Sequence, residues 1–296
     1  MLVDDHGVVQ ARASCWWTST PRLPEHRVGL IGHYAASGES SGLEVIGEAL
    51  ARLERAGCTI AVGPMDGNTW RRYRFIAERG SEPAFFLEPD NPDEWREHFE
   101  RAGFSVMATY TSALTTDLTH EDPRLGATQA SLGEKGITVR TLRPDDADQD
   151  LRRIFRLSLD SFQSNYLYTP IEEDEFLEQN RRLLPQVLSD LVLLAERDGD
   201  LLGFLFAVPD LLQRQRGSRV DTLIIKTVAV SPTVASAGLG SLLVGLAQRR
   251  AREMGFTRAI HALMHEQNFS RNISRHYAHT IRRYALFVRP FSPPRA

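Results

Sequence analysis

The stretch from residue 222 to 255, TLIIKTVAVSPTVASAGLGSLLVGLAQRRAREMG, constrains the fold of this chain more than any other. Residues 223–230 are predicted to form a buried strand, and an apolar-periodic helix is predicted at about 241–254. Gly238 and Gly240 lie in the turn between them, where the lack of a side chain lets a pyrophosphate approach the backbone. Because a helix N-terminus offers unpaired N–H groups and a favourable dipole, this turn is predicted to bind phosphate. The alternative is an ordinary strand–loop–helix connection with two flexible glycines.

The composition is that of a globular chain and argues against several functional classes. With 296 residues, 42% hydrophobic and 25% charged, the chain has room for about two domains. A net charge of −3 gives no overall attraction to nucleic acid or anionic membranes, and no apolar run approaches the ~20 residues that span a bilayer. Cys15 and Cys58 lack metal-site spacing, so no metal is expected. The start, MLVDDHGVVQ, lacks signal-peptide features, which favours the cytoplasm and reduced thiols.

The chain is predicted to form two α/β halves joined by a linker. Residues 115–136 are rich in turn formers and lack periodicity, which is typical of a linker. In the half that follows, strands and helices alternate, and the last predicted elements are a helix at 269–282 and a strand at 284–288. The predicted domains are therefore residues 1–114 and 137–291.

The two halves share an order of predicted elements, which indicates a repeat at the scale of a domain. The alternative is a coincidental alternation of helices and strands. Residues 49–68 and 246–268 each contain a helix, a glycine, a strand, a turn and an asparagine in that order. The first copy has only Gly42 in its loop, where Glu39 would repel a phosphate, so it is predicted to be degenerate and to act as scaffold.

The two copies also differ in length. The first is short at its start, which indicates a truncated domain or a start codon inside a longer reading frame. The second lacks a final strand that the first has near Gly103. This asymmetry predicts that the halves share a sheet edge or an interface.

The second half resembles the acetyl-CoA-binding segment of the GNAT superfamily of N-acetyltransferases. The resemblance rests on the order V-A-V-x-P, a short gap, G-x-G and an amphipathic helix. It implies an α/β fold with a mixed central sheet flanked by helices, in two tandem copies, and acetyl-CoA as cosubstrate. In the family the strand pairs with the pantetheine arm, and the loop Q/R-x-x-G-x-G/A holds the pyrophosphate. The implied cofactor-binding residues are Val228, Ala229, Val230, Ala235, Ser236, Gly238, Leu239, Gly240, Ser241 and Asn268, with Asn268 also expected to cap the next helix.

The resemblance also implies direct attack of a primary amine on the thioester in a ternary complex. Because an amine of this kind is mostly protonated at neutral pH, a base or a desolvating site is needed. The family's fourth and fifth strands splay apart and leave backbone N–H groups to hold the carbonyl, here at residues 228–230. Tyr277 is the implied general acid for the departing sulfur, with a packing tyrosine as the alternative. Asp221 is the implied base, and His261, His265 or an ordered water are the alternatives.

The acceptor and the oligomeric state are left open by the sequence. A small-molecule amine and a protein amine are both compatible with it, as is a homodimer, while nucleic acid and membranes are not expected partners. Lys226 stands in an apolar strand, so it needs a partner or an exposed face and is interpreted as lining the acceptor site or extending to solvent. Ala235 stands where the family has Gln or Arg, which removes a polar side chain but leaves the backbone donors. The alternative function is therefore a non-catalytic acyl-CoA-binding or regulatory protein.

Overall fold

A computed structural model of the chain describes residues 1–119, 122–233, 238–266 and 278–291. Within these ranges the chain forms a continuous mixed sheet of twelve strands. Helices cover both faces of the sheet, because neighbouring residues of one strand, Leu193 and Leu194, are buried in two different cores. The predicted α/β class, a mixed sheet flanked by helices, is confirmed.

The elements follow the alternation expected from the sequence. The first half contains β1 (Leu2–Val3), β2 (Val9–Trp16), β3 (Val28–Ala36), α1 (Glu39–Arg55), β4 (Ile60–Gly63), β5 (Phe75–Glu78), α2 (Glu94–Arg101) and β6 (Ser105–Thr115). The rest contains α3 (Leu125–Glu134), β7 (Thr138–Thr141), α4 (Ala147–Phe162), α5 (Glu173–Leu183), β8 (Val192–Arg197), β9 (Asp200–Pro209), α6 (Leu211–Gln215), β10 (Thr222–Val230), α7 (Leu239–Glu253), β11 (Arg258–His265) and β12 (His279–Pro290). The strand order is β1-β2-β3-β4-β12-β6-β11-β10-β9-β8-β7, and β5 pairs with β12.

The two halves exchange their last strands. β12, from the second half, lies between β4 and β6 and is antiparallel to both, whereas β6, from the first half, pairs with β11. Phe287 of β12 packs in the core under α1 and α2, and the adjacent Leu286 packs in the core on the opposite face. The predicted sharing of a sheet edge is therefore confirmed, and it takes the form of a strand exchange.

The end of the second half differs from the sequence prediction. Residues 267–277 lie outside the described ranges, but from His279 onward the chain is a strand, so the helix predicted to reach Arg282 was wrong in its last turn. Ile281, Tyr284 and Leu286 are buried on one face of the sheet or the other. A central strand buried on both faces lacks the simple alternation that marks a half-buried strand.

The segment predicted as a linker, residues 115–136, contains the helix α3. Leu125 and Leu132 of α3 are buried in the core beneath α7. A Cβ atom on Gly245 of α7 would lie 2.6 Å from Leu125 Cδ1, so the glycine allows the two helices to pack closely. The small and polar residues of α3 (LGATQASLGE) give it little amphipathic periodicity, which explains why the sequence did not reveal it. The division into domains 1–114 and 137–291 stays a proposal.

Candidate functional site

The centre of the sheet opens between β10 and β11. These parallel strands pair only where residues 222–225 face residues 258–261, and beyond that point each strand continues with its other neighbour. Both strands are irregular where they separate. Lys226 is an extra residue on β10 relative to β9, and the register of β11 shifts at Leu263, whose φ is 61°. Because a β-bulge ends pairing and redirects side chains, these irregularities produce a wedge between the strands.

The wedge leads into a cavity of about 880 Å³. On the side of the second half, α4, α5, β9, β10 and β11 line it, with aromatic and aliphatic side chains such as Phe176, Phe206 and Ile154. The first half lines it with residues 69–74, residues 87–89 and Tyr110. Both halves therefore form the walls of the cavity.

Arg74 is an unusual cation in the cavity wall. The residue is only 7% exposed, and its guanidinium carbon lies 3.9 Å from the centre of the Tyr73 ring and 4.0 Å from that of Tyr110. Nη1 donates to Leu263 O at 3.4 Å, while Nε is buried with no hydrogen-bond partner in the described part of the chain. The backbone of Arg74 is left-handed (φ 70°), a conformation that is uncommon for a bulky residue and tends to occur at functional sites.

Lys226 is the second cation in the wall. Its Nζ donates to Leu87 O at 3.0 Å, and the backbone of Leu87 is also left-handed, with φ 64°. Burial, reinforced by the charge of Arg74, lowers the pKa of Lys226 to about 7, although Glu88 acts in the opposite direction. Lys226 lines the cavity, so of the two alternatives considered from the sequence the structure favours the acceptor-site one.

Replacing Lys226 by methionine is expected to raise the free energy of unfolding at neutral pH. The folded-state pKa of about 7 lies below the unfolded value of 10.5, so the unfolded chain binds a proton that the folded protein does not. The resulting penalty grows as the pH falls from 10.5 to about 7 and is constant below that. Urea denaturation at several pH values measures it. The stability gain from Lys226→Met should shrink toward pH 10.5, and a gain that does not change with pH would contradict the lowered pKa.

The one acid that lines the cavity, among the residues that the structure describes, is already engaged. Glu88 Oε1 accepts from Arg282 Nε at 2.8 Å and also from the hydroxyl of Tyr284, and all three side chains are buried. Burial, and then the nearby Glu88 carboxylate, raise the pKa of Tyr284, so the phenol remains protonated. The Glu88 carboxylate is therefore partnered by groups behind the cavity wall, and it does not bond directly to Arg74 or Lys226.

The implied base Asp221 is not brought to the cavity. It precedes β10 at the opposite end from the wedge, five residues or roughly 17 Å of strand before Lys226. Its Oδ1 accepts from Gln213 Nε2 at 2.8 Å and from Thr222 Oγ1 at 3.0 Å. Burial opposes its ionisation, but these hydrogen bonds outweigh burial and lower the pKa of Asp221. The carboxylate thus secures the start of β10, and this geometry does not suit a base acting in the wedge.

Both histidines of β11 line the cavity. His261 is buried, its Nε2 lies 3.1 Å from Gln248 Nε2 of α7, and burial lowers its pKa to about 4. His265 is half-buried, and its ring centre lies 4.9 Å from that of Tyr110. Burial, and then the charge of Arg74, lower the pKa of His265 as well, so its imidazole is neutral near pH 7.

The proposed phosphate loop is described in part. Gly238 caps α7 in the left-handed conformation (φ 77°), and Leu239, Gly240 and Ser241 form the first turn. Residues 234–237, which include Ala235 and Ser236, lie outside the described ranges, as do Asn268 and Tyr277. Val228, Ala229 and Val230 end β10, where they pair with β9 and no longer with β11. The three strand residues therefore border the wedge, the helix start follows them in the chain, and the roles of both stay proposals.

Sequence reasoning missed the first-half residues of the site. Arg74 lies in the segment TWRRYR (residues 69–74), where basic and aromatic residues alternate, which was the available signal. Nothing in the sequence indicates that this segment crosses to the other half. Trp70 Nε1 donates to Thr169 O at 2.8 Å, and Arg71 Nε lies 2.6 Å from Glu175 Oε1, so this segment contacts the second half directly.

Splayed parallel strands followed by a glycine-capped helix define the N-acetyltransferase type of fold that the sequence resemblance implied. Residues 151–275 match the model of the acetyltransferase (GNAT) family. The chain therefore carries a domain of the GNAT acetyltransferase family, which supports acyltransferase activity in general. No curated protein matches the sequence.

Solved structures extend the fold similarity to the whole chain. A GCN5-related N-acetyltransferase from Sphaerobacter thermophilus superimposes with a TM-score of 0.56 at 14% identity, over 98% of this chain and 80% of that one. A glucosamine N-acetyltransferase region of a fungal multi-domain GH3 β-N-acetylglucosaminidase gives 0.56 at 14% identity, over 97% of this chain and 32% of that one. A tandem GNAT protein from the clavulanic acid biosynthesis pathway gives 0.50 at 12% identity, over 99% and 82%. These similarities show the tandem fold.

The described ranges contain no helix that is both long enough and apolar enough to cross a bilayer. They also contain no group of three or more His, Cys, Asp or Glu side chains placed to hold a metal ion.

Proposed function

We propose that this protein transfers an acetyl group from acetyl-CoA to a primary amine. The observation that carries the proposal is the wedge between β10 and β11, which opens into a cavity of about 880 Å³ within a domain matched by the GNAT family. A thioester carbonyl in the wedge would face strand N–H groups that have lost their partners, and an amine would reach it from the cavity.

The residues proposed for acetyl-CoA flank the wedge. The free edge of Val228, Ala229 and Val230 would pair with the amides of the pantetheine arm. The N–H groups of Leu239, Gly240 and Ser241 would hold the pyrophosphate with the help of the helix dipole, and the loop residues Ala235 and Ser236 and also Asn268 complete the proposed set.

The proposed reaction uses groups from the wedge and from the segment that follows β11. His265 replaces Asp221 as the proposed base, because it lines the cavity and its neutral imidazole takes the proton of the incoming ammonium. The amine nitrogen then attacks the carbonyl carbon, and the backbone N–H groups at the bulge stabilise the oxyanion. As the carbon–sulfur bond breaks, Tyr277 donates its proton to the thiolate. The resulting phenolate takes back the second proton of the attacking nitrogen, which leaves a neutral amide and free CoA thiol.

Two measurements test the function and separate it from a non-catalytic binder. Calorimetric titration should show that acetyl-CoA binds the protein with one site. Release of free thiol in the presence of a panel of primary amines should then follow. Binding without release for any amine would favour the regulatory alternative, and failure to bind acetyl-CoA would refute both.

Replacing Gly240 by glutamate is expected to weaken acetyl-CoA binding at least about tenfold. The added carboxylate would repel the pyrophosphate and displace it from the backbone, and each lost charge-assisted hydrogen bond costs about 1.5–3 kcal/mol. Calorimetry measures the affinity. Gly47→Glu is a matched control, because Gly47 is an exposed helical glycine of α1 with open space around it. If the folded Gly240→Glu protein binds as tightly as the control does, the loop assignment is wrong.

A further inference from the structure

The cavity has a marked excess of positive charge. Its described lining contains four basic side chains, Arg71, Arg72, Arg74 and Lys226, against one carboxylate, that of Glu88. Arg71 is paired with Glu175 across the halves, and Glu88 is bonded to Arg282 and Tyr284. The charges of Arg74 and Lys226 are therefore not matched by a bonded carboxylate within the described ranges.

Arg74 is held in place without its charge being satisfied. The Tyr73 and Tyr110 rings fix the plane of the guanidinium, and its one hydrogen bond to the described residues uses Nη1. The edge formed by Nε and Nη2 has no such bond, and Nε is among the buried unpartnered atoms. Two parallel N–H groups on one edge of a guanidinium match the two oxygens of a carboxylate or a phosphate. A buried cation without a partner is costly, so a ligand is the natural partner for it.

Lys226 points to the same kind of ligand. It occupies the bulge at which β10 leaves β11, and among the described residues its Nζ bonds only a neutral carbonyl, that of Leu87. The Arg74 charge is close enough to lower the pKa of Lys226. An anion between the two cations would reverse this effect and keep Lys226 protonated.

We propose that the amine acceptor carries an anionic group, a carboxylate or a phosphate, and that Arg74 and Lys226 bind this group. The proposal rests on the proposed function, because it specifies the acceptor of that reaction. It gives the first half, whose own glycine loop is degenerate, a role in selecting the substrate: Arg74 would anchor the acceptor while its amine reaches the wedge.

The wild-type protein tests the proposal with pairs of primary amines of which one member carries the anionic group and the other does not, compared at matched concentrations of the unprotonated amine. L-Amino acids are compared with their carboxamides for the carboxylate, and phosphoethanolamine is compared with ethanolamine for the phosphate. Thiol release should give a kcat/KM at least about tenfold higher for the anionic member of one pair, which also identifies the anion. Equal rates within both pairs, or preference for the neutral members, would overturn the proposal.

Arg74→Gln tests the residue assignment, and Arg52→Gln is the control. Arg52 is exposed on α1, outside the cavity. We expect Arg74→Gln to lower kcat/KM for the anionic substrate roughly 10- to 100-fold more than for its neutral partner, mainly through KM. Arg74→Lys retains the positive charge but not the two parallel N–H groups of the guanidinium. Its kcat/KM for the anionic substrate should therefore lie between those of the Gln variant and the wild type. If the folded Arg74→Gln protein loses kcat/KM equally for the anionic and the neutral substrate, or binds acetyl-CoA more weakly, Arg74 does not bind the anionic group of the acceptor.

A binding measurement keeps this proposal distinct from the proposed function. N-acetyl-L-amino acids, their carboxamides and N-acetylphosphoethanolamine are titrated into the wild-type and Arg74→Gln proteins by calorimetry, which requires no turnover. Binding of an anionic compound that is lost in Arg74→Gln supports the anion site even if no amine is acetylated. Turnover without any preference for anionic compounds in either assay would uphold the acetyltransferase and refute the anion site.

Discussion

Phe287→Ala is expected to lower the free energy of unfolding by about 3–5 kcal/mol, a typical cost for truncating a fully buried phenylalanine. Phe287 is 0% exposed, and its ring centre lies 6.3 Å from that of Phe99 and 6.4 Å from that of Phe75. It belongs to β12, the strand that the second half inserts into the first. Removing its ring should therefore destabilise both halves together.

Denaturation followed by two probes measures this effect. All four tryptophans, Trp16, Trp17, Trp70 and Trp95, lie in the first half, so their fluorescence reports on that half, while far-UV circular dichroism reports on the whole chain. Both curves should shift by the same amount. Val106→Ala is the control, because Val106 lies opposite Phe287 on β6 and is 54% exposed, so its truncation should cost only about 0.5 kcal/mol. Separate transitions for the two probes would contradict the coupling.

Tyr277→Phe is expected to lower kcat by about 10²–10⁴-fold, the usual contribution of a general acid. The substitution retains the ring and removes the proton that the departing thiolate needs. Acetyl-CoA affinity and melting temperature should therefore stay nearly unchanged. A lower melting temperature with normal turnover per folded molecule would mean that the hydroxyl is structural. If neither turnover nor stability changes, the acid is water or another group, and His276 and His279 are the next residues to replace.

Local patterns in the sequence were sufficient for the elements around the wedge. The strand before the glycines was expected at 223–230 and is found at Thr222–Val230, and the helix expected at about 241–254 is Leu239–Glu253. Both have a clear apolar pattern, glycines lie at the two ends of the helix, and the family resemblance rests on these elements. The fold class follows from this local information.

What the sequence did not reveal depends on contacts between distant residues. β12 lies in the centre of the sheet, between β4 and β6 of the other half. Its residues 284–288 were predicted as a strand, whereas residues 279–282 were assigned to the preceding helix. Asp221 has the charge of a base, yet Gln213 and Thr222 hold it at the far end of the strand. Arg74 acquires its environment from Tyr110 and Leu263, which are remote in the chain. No local pattern encodes these positions.

The strand exchange also determines the order in which the chain can fold during synthesis. Ile60 of β4 pairs with Pro290 of β12, so the first half cannot complete its sheet until residue 290 has left the ribosome. Domains usually fold in order from the N-terminus as they emerge from the ribosome. Here the edge of β4 that pairs with β12 stays without its partner strand while the second half is translated. Pairing between such distant segments slows folding, because a long loop must close before any contact compensates for it. The nascent first half is therefore the stage at which this protein is most exposed to aggregation through unpaired strand edges.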